Sequence, residues 1–307
     1  MVRTYGFIGV GNLGVHLAGN LLRAGFAVRV HDLNCDAAAG LTAAGARWAE
    51  SPRAAGEGAD GVITCLPSPA AVAAAVAGKD GVLDGLARGG VWIDMSTNDA
   101  DEVKRLAGLA ASREIGCLEA PVTGGVHKAA AAAITVLVGG DRALHDAHLP
   151  ALQAMGTPVL YMGPLGSASV IKVITNMLAF IHLIAAGEAM MLAKKGGVDL
   201  AQAFAAIKAS SGNSFVHETE SQLVLSGSYN VGFTMDLACK DLGLAARLGH
   251  QFGVPLELAG LVEQMFIRAR AQYGGGAWST QAVKLLEDAL STPLRAPGFP
   301  QTLEMDR

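Results

Sequence analysis

At 307 residues the chain is long enough for about two domains of ordinary size. Hydrophobic residues make up 51% and charged residues only 16%, which excludes a disordered chain and leaves apolar surface for a large core and for a subunit interface. With 23 basic against 27 acidic residues, a formal charge of −4 and no cluster of Lys and Arg, a nucleic-acid partner is not expected.

The first half alternates short apolar runs with Ala-rich helical stretches. Residues 4–10 (TYGFIGV), 27–32 (AVRVHD), 61–66 (GVITCL), 91–95 (VWIDM), 115–119 (IGCLE) and 134–138 (ITVLV) read as strands, with 158–162 as one more. This alternation predicts an α/β, Rossmann-type doubly wound sheet, mostly parallel, with helices on both faces. In the first helix Leu13, Leu17 and Leu21 repeat at i, i+4, i+8, which gives one apolar stripe to pack on the sheet. Gly25 then supplies a left-handed residue that ends the helix cheaply.

After Gly166 the strand signals fade. Residues 170–195 read as one helix of about 26 residues, on the order of 39 Å long. It is apolar on nearly all sides, so it is expected to be buried all round, in an all-α domain or at a subunit interface. Helices at 200–209, 218–225, 237–252, 257–273 and 280–290 follow. Pro293, Pro297 and Pro300 make the tail an extended wrap or a frayed end. The expected domains are a dinucleotide-binding Rossmann domain over 1–165, an all-helical domain for substrate and oligomerisation over 166–290, and an extended tail over 291–307.

Cys35, Cys65, Cys117 and Cys239 are far apart and form no CxxC pair, so neither a metal site nor a disulfide framework is expected. A reduced, cytoplasmic setting is the default. Residues 173–193 are apolar over membrane-spanning length but contain Asn176, His182 and Glu188. Polar and charged groups are costly at mid-bilayer, so a buried helix of a soluble protein is expected and no membrane partner.

Gly9-Val10-Gly11-Asn12-Leu13-Gly14 is a GxGxxG that follows a strand, opens a helix and sits in a βαβ unit. Gly9 suits the tight turn, Gly11 lets the backbone approach a pyrophosphate, and Gly14 lets helix and strand pack closely. Asn12 and Leu13 complete the loop, and the free N–H groups of the helix start face the anion. Asp32 ends the second strand 18 residues after Gly14, where a carboxylate can accept from the adenosine ribose hydroxyls. A 2′-phosphate there would meet like charge, at a cost on the order of 3 kcal/mol per unit charge at about 5 Å and an effective dielectric of about 20. NAD is therefore expected over NADP, with Arg29 and His31 as nearby cations that could soften the choice.

Further motifs extend the pattern. Glu119-Ala120-Pro121-Val122-Thr123-Gly124-Gly125, Gly166-Ser167-Ala168-Ser169-Val170-Ile171-Lys172-Val173-Ile174-Thr175-Asn176 and Lys240-Asp241 follow the glycine loop in order. With GFIGVGNLG they resemble the β-hydroxyacid dehydrogenases, the group of 3-hydroxyisobutyrate dehydrogenase and tartronate semialdehyde reductase, from about Tyr5 to Leu286. That family usually carries DAPVSGG, GxGxxxKxxxN and a KD pair at these places. The resemblance implies that Lys172 is the general acid/base and that Asn176, four residues on and on the same helix face, orients the substrate. Burial among Val170, Ile171, Val173 and Ile174 would push a lysine pKa down toward the working range.

Thr123 with the backbone of Gly124 and Gly125 would cradle a carboxylate. Thr for the usual Ser keeps the hydroxyl and adds a methyl, which narrows the pocket. By the same resemblance Leu66-Pro67 and Ser96-Thr97 border the cofactor, and Lys240 stands near cofactor or substrate. The function implied is an NAD-dependent exchange of a small 3-hydroxy acid, a small-molecule carboxylate, with its semialdehyde. A homodimer or tetramer through the helical domain is also implied. Two alternatives are an imine reductase of the same architecture, whose members typically lack the lysine, and a catalytically silent cofactor-binding module. Residues 132–134, 210–215 and 278–281 depart from the family pattern, so the substrate side chain stays open. Asn213, Phe215, His217, His127 and Lys128 are weaker pocket candidates.

Overall fold

A computed structural model describes residues 3–303. The chain parts into two compact units, Met1–Lys172 and Val173–Arg307. The division falls inside a single helix, Ser167–Lys195.

The first unit is built on one sheet. Its strands are β1 (Thr4–Ile8), β2 (Ala27–His31), β3 (Arg47–Trp48), β4 (Gly61–Thr64), β5 (Val91–Asp94), β6 (Gly116–Glu119), β7 (Val122–Thr123), β8 (Thr135–Gly140) and β9 (Val159–Gly163). The order is β3-β2-β1-β4-β5-β6-β8-β7, with β9 beside β8. Neighbours from β3 to β6 run parallel; β8 is antiparallel to β6 and β7 and parallel to β9. The order reverses at β1 and β4, the switch point beside which ligands bind in such sheets. The two-residue strands β3 and β7 have no run long enough to be read as strands in advance.

The central strands are apolar on both faces because both faces are covered. Tyr5, Phe7, Ile63, Val91 and Ile93 pack with Leu17 and Leu21 of helix Gly14–Arg23, while Ile8, Val62 and Trp92 pack with Val72 and Val76 of helix Pro69–Ala77. Leu17 and Leu21 are fully buried, which stabilises by about 2 kcal/mol each. That helix ends as expected, with Gly25 at φ +87°.

The second unit is helical: Leu200–Lys208, Phe215–Ser226, Met235–Phe252, Glu257–Tyr273 and Lys284–Ala289. Asp199, Ser214 and Thr234 cap three of these by accepting backbone N–H bonds. Phe180, Leu183, Met235 and Phe266 centre its core. The last expected helix opens as a 3-10 turn, Ser279–Val283.

Two expectations that left alternatives open are narrowed. Within one chain the helical domain alone does not bury the long helix all round: Ile174 is 36% exposed, Leu178 42% and Leu192 76%, because its neighbours in the chain cover only the opposite face. Of the two forms expected for the tail, its start takes the packed wrap. Leu294 is fully buried, its N–H donates to Glu287 Oε1 at 2.9 Å, and Arg295 reaches Glu287 and the Tyr229 hydroxyl at 2.9 and 2.7 Å.

Candidate active site

The glycine turn follows β1 at the carboxyl edge of the sheet. Gly9 adopts φ +91°, and a Cβ there would stand 2.3 Å from the Cys65 carbonyl oxygen. At Gly14 a Cβ would stand 2.0 Å from the Gly9 oxygen. At Gly11 nothing lies within 4 Å. Two glycines are thus demanded by the protein's own packing, and the third keeps open the face where a pyrophosphate would approach, so the turn fits a dinucleotide. Asn12 is exposed and Leu13 half-buried beside it.

Asp32 does not cap the next helix; Asn34 does. Its Oδ2 accepts from Val10 N at 2.8 Å and its Oδ1 from Asn34 N at 2.9 Å. The acid therefore holds the glycine turn while two lone pairs remain for ribose hydroxyls. Arg29 is committed to the Glu57 carbonyl and His31 Nδ1 to the Ala49 carbonyl at 2.9 Å.

The segments after β4 and β5 are tied together. Ser96 Oγ accepts from Leu66 N at 2.9 Å, so the Leu66-Pro67 and Ser96-Thr97 turns meet. Beneath them lies Asp94, 1% exposed, which accepts from Thr64 Oγ1 at 2.9 Å, Ser96 N at 3.1 Å and Asn98 Nδ2 at 2.8 Å. Burial raises its carboxyl pKa, and those donors oppose the rise. Burial, with Asp94 adding to it, pushes the Cys65 thiol up to about 12, so this cysteine is not a thiolate.

Thr123 closes β7 against Thr135 of β8. Gly124 and Gly125 follow at φ +130° and +92°, a reversal that only glycine makes without strain. Lys128 leans over the turn: a Cβ on Gly124 would stand 3.1 Å from its Cδ. Burial and then the Lys128 charge lower the pKa of His127.

Glu119, at the end of β6, is 1% exposed. Its Oε1 accepts from Gly166 N and Ala168 N at 2.7 Å each. Its Oε2 accepts from Ser169 N at 3.2 Å and from Ser169 Oγ at 2.5 Å. Burial raises its pKa and these four donors oppose it. Lys172 is 7% exposed, one turn further along the same helix.

In the second unit Asp241 is fully buried and joins two sequence-derived candidates. It accepts from Asn176 Nδ2 at 2.6 Å and pairs with Lys240 Nζ at 2.7 Å. Asp236, one turn before Lys240, pairs with Arg270. The weaker candidates divide. His217 is a core residue, 1% exposed, bonded to the Phe204 carbonyl at 3.0 Å, and Asn213 bonds Glu218 at 2.7 Å. Phe215 is 49% exposed.

Glu119, Asp94, Asn98 and Asp241 order their own neighbourhoods in a way the sequence did not announce: Glu119 and Asp241 stand in the motifs with no role given to their side chains, and Asp94 and Asn98 have none either. For Glu119 and Asp94 a signal exists: an acid closing a buried apolar strand at the carboxyl edge needs donors, and the adjacent turns carry them.

A doubly wound sheet whose switch point carries this turn defines a class, the dinucleotide-dependent dehydrogenases. Residues 4–163 match the NAD binding domain of 6-phosphogluconate dehydrogenase, and residues 166–286 match the NAD-binding domain of NADP-dependent 3-hydroxyisobutyrate dehydrogenase. The chain is 32% identical over 283 residues to 2-(hydroxymethyl)glutarate dehydrogenase of Eubacterium barkeri, covering 92% of this chain and 94% of that one. It is 36% identical over 246 residues to an NAD-dependent L-serine dehydrogenase of Pseudomonas aeruginosa, covering 78% and 83%. The crystal structure of 3-hydroxyisobutyrate dehydrogenase from Salmonella typhimurium superposes with a TM-score of 0.85 at 31% identity over 92% of this chain and 99% of that one. The chain belongs to the β-hydroxyacid dehydrogenase family and is an NAD-binding dehydrogenase of CH–OH groups.

Proposed function

We propose that the protein oxidises a small 3-hydroxy acid to its semialdehyde, or the reverse, with Lys172 as general acid/base. NAD, when bound at the glycine turn, takes up or returns the hydride of the carbinol carbon. In the oxidative direction the substrate O–H bond breaks, its electron pair forms the carbonyl π bond, and the Lys172 amine takes the proton. In reduction the Lys172 ammonium returns that proton to the alkoxide oxygen. Thr123 and the backbone of Gly124 and Gly125 hold the carboxylate, and Asn176 orients the reacting end. Asp241 fixes the Asn176 amide and the Lys240 ammonium, so both present one face consistently.

The relatives' substrates support a structural class. L-serine, 3-hydroxyisobutyrate and 2-(hydroxymethyl)glutarate all have the form HO–CH2–CH(R)–COOH and differ only in R. NAD is favoured over NADP because Asp32 lies where a 2′-phosphate would sit, while Arg29 and His31 are engaged by backbone carbonyls. The protein acts in the cytoplasm as a homo-oligomer, its exposed stripe of Ile174, Leu178 and Leu192 covered by a second copy.

The observation that carries the reading is a lysine 93% buried one turn into an apolar helix, in the family's catalytic motif. The test is absorbance at 340 nm with NAD or NADP against 3-hydroxyisobutyrate, L-serine, 3-hydroxypropionate, glycerate and 2-(hydroxymethyl)glutarate. Lys172→Ala is expected to lower kcat by about a thousandfold or more. A variant as active as wild type would remove Lys172 from the chemistry. Turnover of cyclic imines alone would favour an imine reductase.

A further inference from the structure

Glu119 accepts from three backbone N–H groups at the start of the helix bearing Lys172. It also opens the segment Ala120–Gly125, which carries the carboxylate cradle, through consecutive peptide bonds. We infer that Glu119 is a positioning residue for the reaction: a single buried carboxylate sets the first turn of the Lys172 helix against the substrate loop. This rests on the reading of Lys172 as the proton carrier.

The geometry is specific to this length of side chain. Glu119 faces Gly139 across the β6–β8 pair, and a Cβ on Gly139 would stand 2.2 Å from Glu119 Oε1 and 3.0 Å from its Cδ. Gly139 is therefore the space into which the carboxylate folds on its way to the helix. Gly166, whose N–H is the first donor, has φ +99° and lies against Lys104, whose Cε would be 2.6 Å from a Cβ there. The donors thus reach the acid through a left-handed turn that other residues would distort. Three N–H groups that have no intrahelical partner find one acceptor. Ser169 Oγ adds a fourth bond from the same turn. Lys172 follows Ser169 by three residues, about 4.5 Å along the axis. A tilt or fraying of that turn moves the lysine directly. Charged and titratable neighbours include Lys104 beside Gly166, Cys117 on the same strand and Asp94 on β5, and among the described residues none of these three accepts from this helix turn.

Glu119→Gln keeps the shape and turns one acceptor into a donor that faces N–H groups. Glu119→Asp keeps the charge and withdraws it by one methylene. Gly139→Ala leaves the acid intact and displaces it. All are measured with the best substrate among 3-hydroxyisobutyrate, L-serine and 2-(hydroxymethyl)glutarate. Glu119→Gln and Gly139→Ala are expected to lower kcat by about a hundredfold, with NADH affinity by fluorescence changed by less than about twofold. The deuterium isotope effect on kcat rises as chemistry becomes limiting. Hydrogen exchange quickens in a peptide spanning residues 160–172, and Glu119→Asp recovers part of the rate. In the double variant Glu119→Gln/Lys172→Ala, the loss is no larger than that of Lys172→Ala alone.

Multiplying losses in the double variant would overturn the inference, as would quickened exchange with kcat unchanged, or a parallel collapse of NADH affinity. Lys172 is checked separately by rescue of Lys172→Ala with an added primary amine. If Lys172→Ala were fully active, the reading of Lys172 would fall while the exchange result still reported on the cap. If Glu119→Gln does not fold, Gly139→Ala carries the same comparison without altering the acid.

Discussion

The Asp241 carboxylate and the Asn176 amide meet at 2.6 Å, and Asp241 also pairs with Lys240 at 2.7 Å. Asp241 is fully buried, and the Lys240 side chain is only 20% exposed. Removing one partner of such a pair leaves the other charge uncompensated. Asp241→Ala is expected to destabilise by about 3 kcal/mol and to reduce kcat/KM more than tenfold. The double variant Lys240→Met/Asp241→Leu should regain part of the stability and none of the activity. Thermal melts and steady-state rates on the three proteins check this.

The glycine turn separates folding from binding. Gly14→Ala drives a Cβ to 2.0 Å from the Gly9 oxygen, so the fold itself must shift, and a loss of several kcal/mol is expected. Gly11→Ala meets nothing within 4 Å. Its melting should match wild type to about 0.5 kcal/mol while the KM for NAD rises about tenfold or more. Equal cofactor KM in Gly11→Ala and wild type would mean that the pyrophosphate lies elsewhere.

Asp32 holds Val10 N, and in the proposed cofactor site it would also face the adenosine ribose. Asp32→Asn removes the charge and keeps an acceptor for Val10. The ratio of kcat/KM for NAD over NADP is expected to fall about ten- to hundredfold, less than the full unscreened repulsion because the side chain is only half-buried. An unchanged ratio would assign the selectivity to another residue.

His148 sets an acid limit on stability. It is 8% exposed, its Nδ1 lies 2.8 Å from the Tyr5 hydroxyl, and burial lowers its pKa to about 4 from an ordinary 6.5. The folded state therefore resists a proton that the unfolded chain accepts. Stability contributed by the neutral ring is complete above pH 6.5 and is lost as pH falls toward 4, by up to about 3 kcal/mol. Thermal melts between pH 7 and pH 4 should fall less steeply in His148→Gln. Parallel curves for the two proteins would contradict this.

The exposed stripe of the long helix predicts association. Ile174, Leu178 and Leu192 lie on one helix face, with Ala185 and Ala189 between them. Leu178→Glu/Leu192→Glu should convert an oligomer to a monomer by light scattering at micromolar protein, with thermal stability lost along with the association. A wild-type monomer at that concentration would leave the stripe without this role.

Much of the molecule is written locally. The alternation of TYGFI, GVIT and VWID with helical runs is a matter of period and β-branched content, so the doubly wound sheet and its glycine turn can be read from spacing alone. The order of the motifs likewise marks the family, because each is a short run of consecutive residues. β3 and β7 escape such reading because two residues carry no period; their pairing comes from neighbouring strands. The half-covered long helix also escapes, since its sequence is apolar all round and only the packed neighbours decide which face stays open. The most distant partners of Glu119, Asp94 and Asp241 lie 30 to 65 positions away. Composition and periodicity place each acid on its strand or helix. Which buried donors meet it is fixed by the close-packed interior, where an unpaired carboxylate is too costly to leave, and that is decided only in three dimensions.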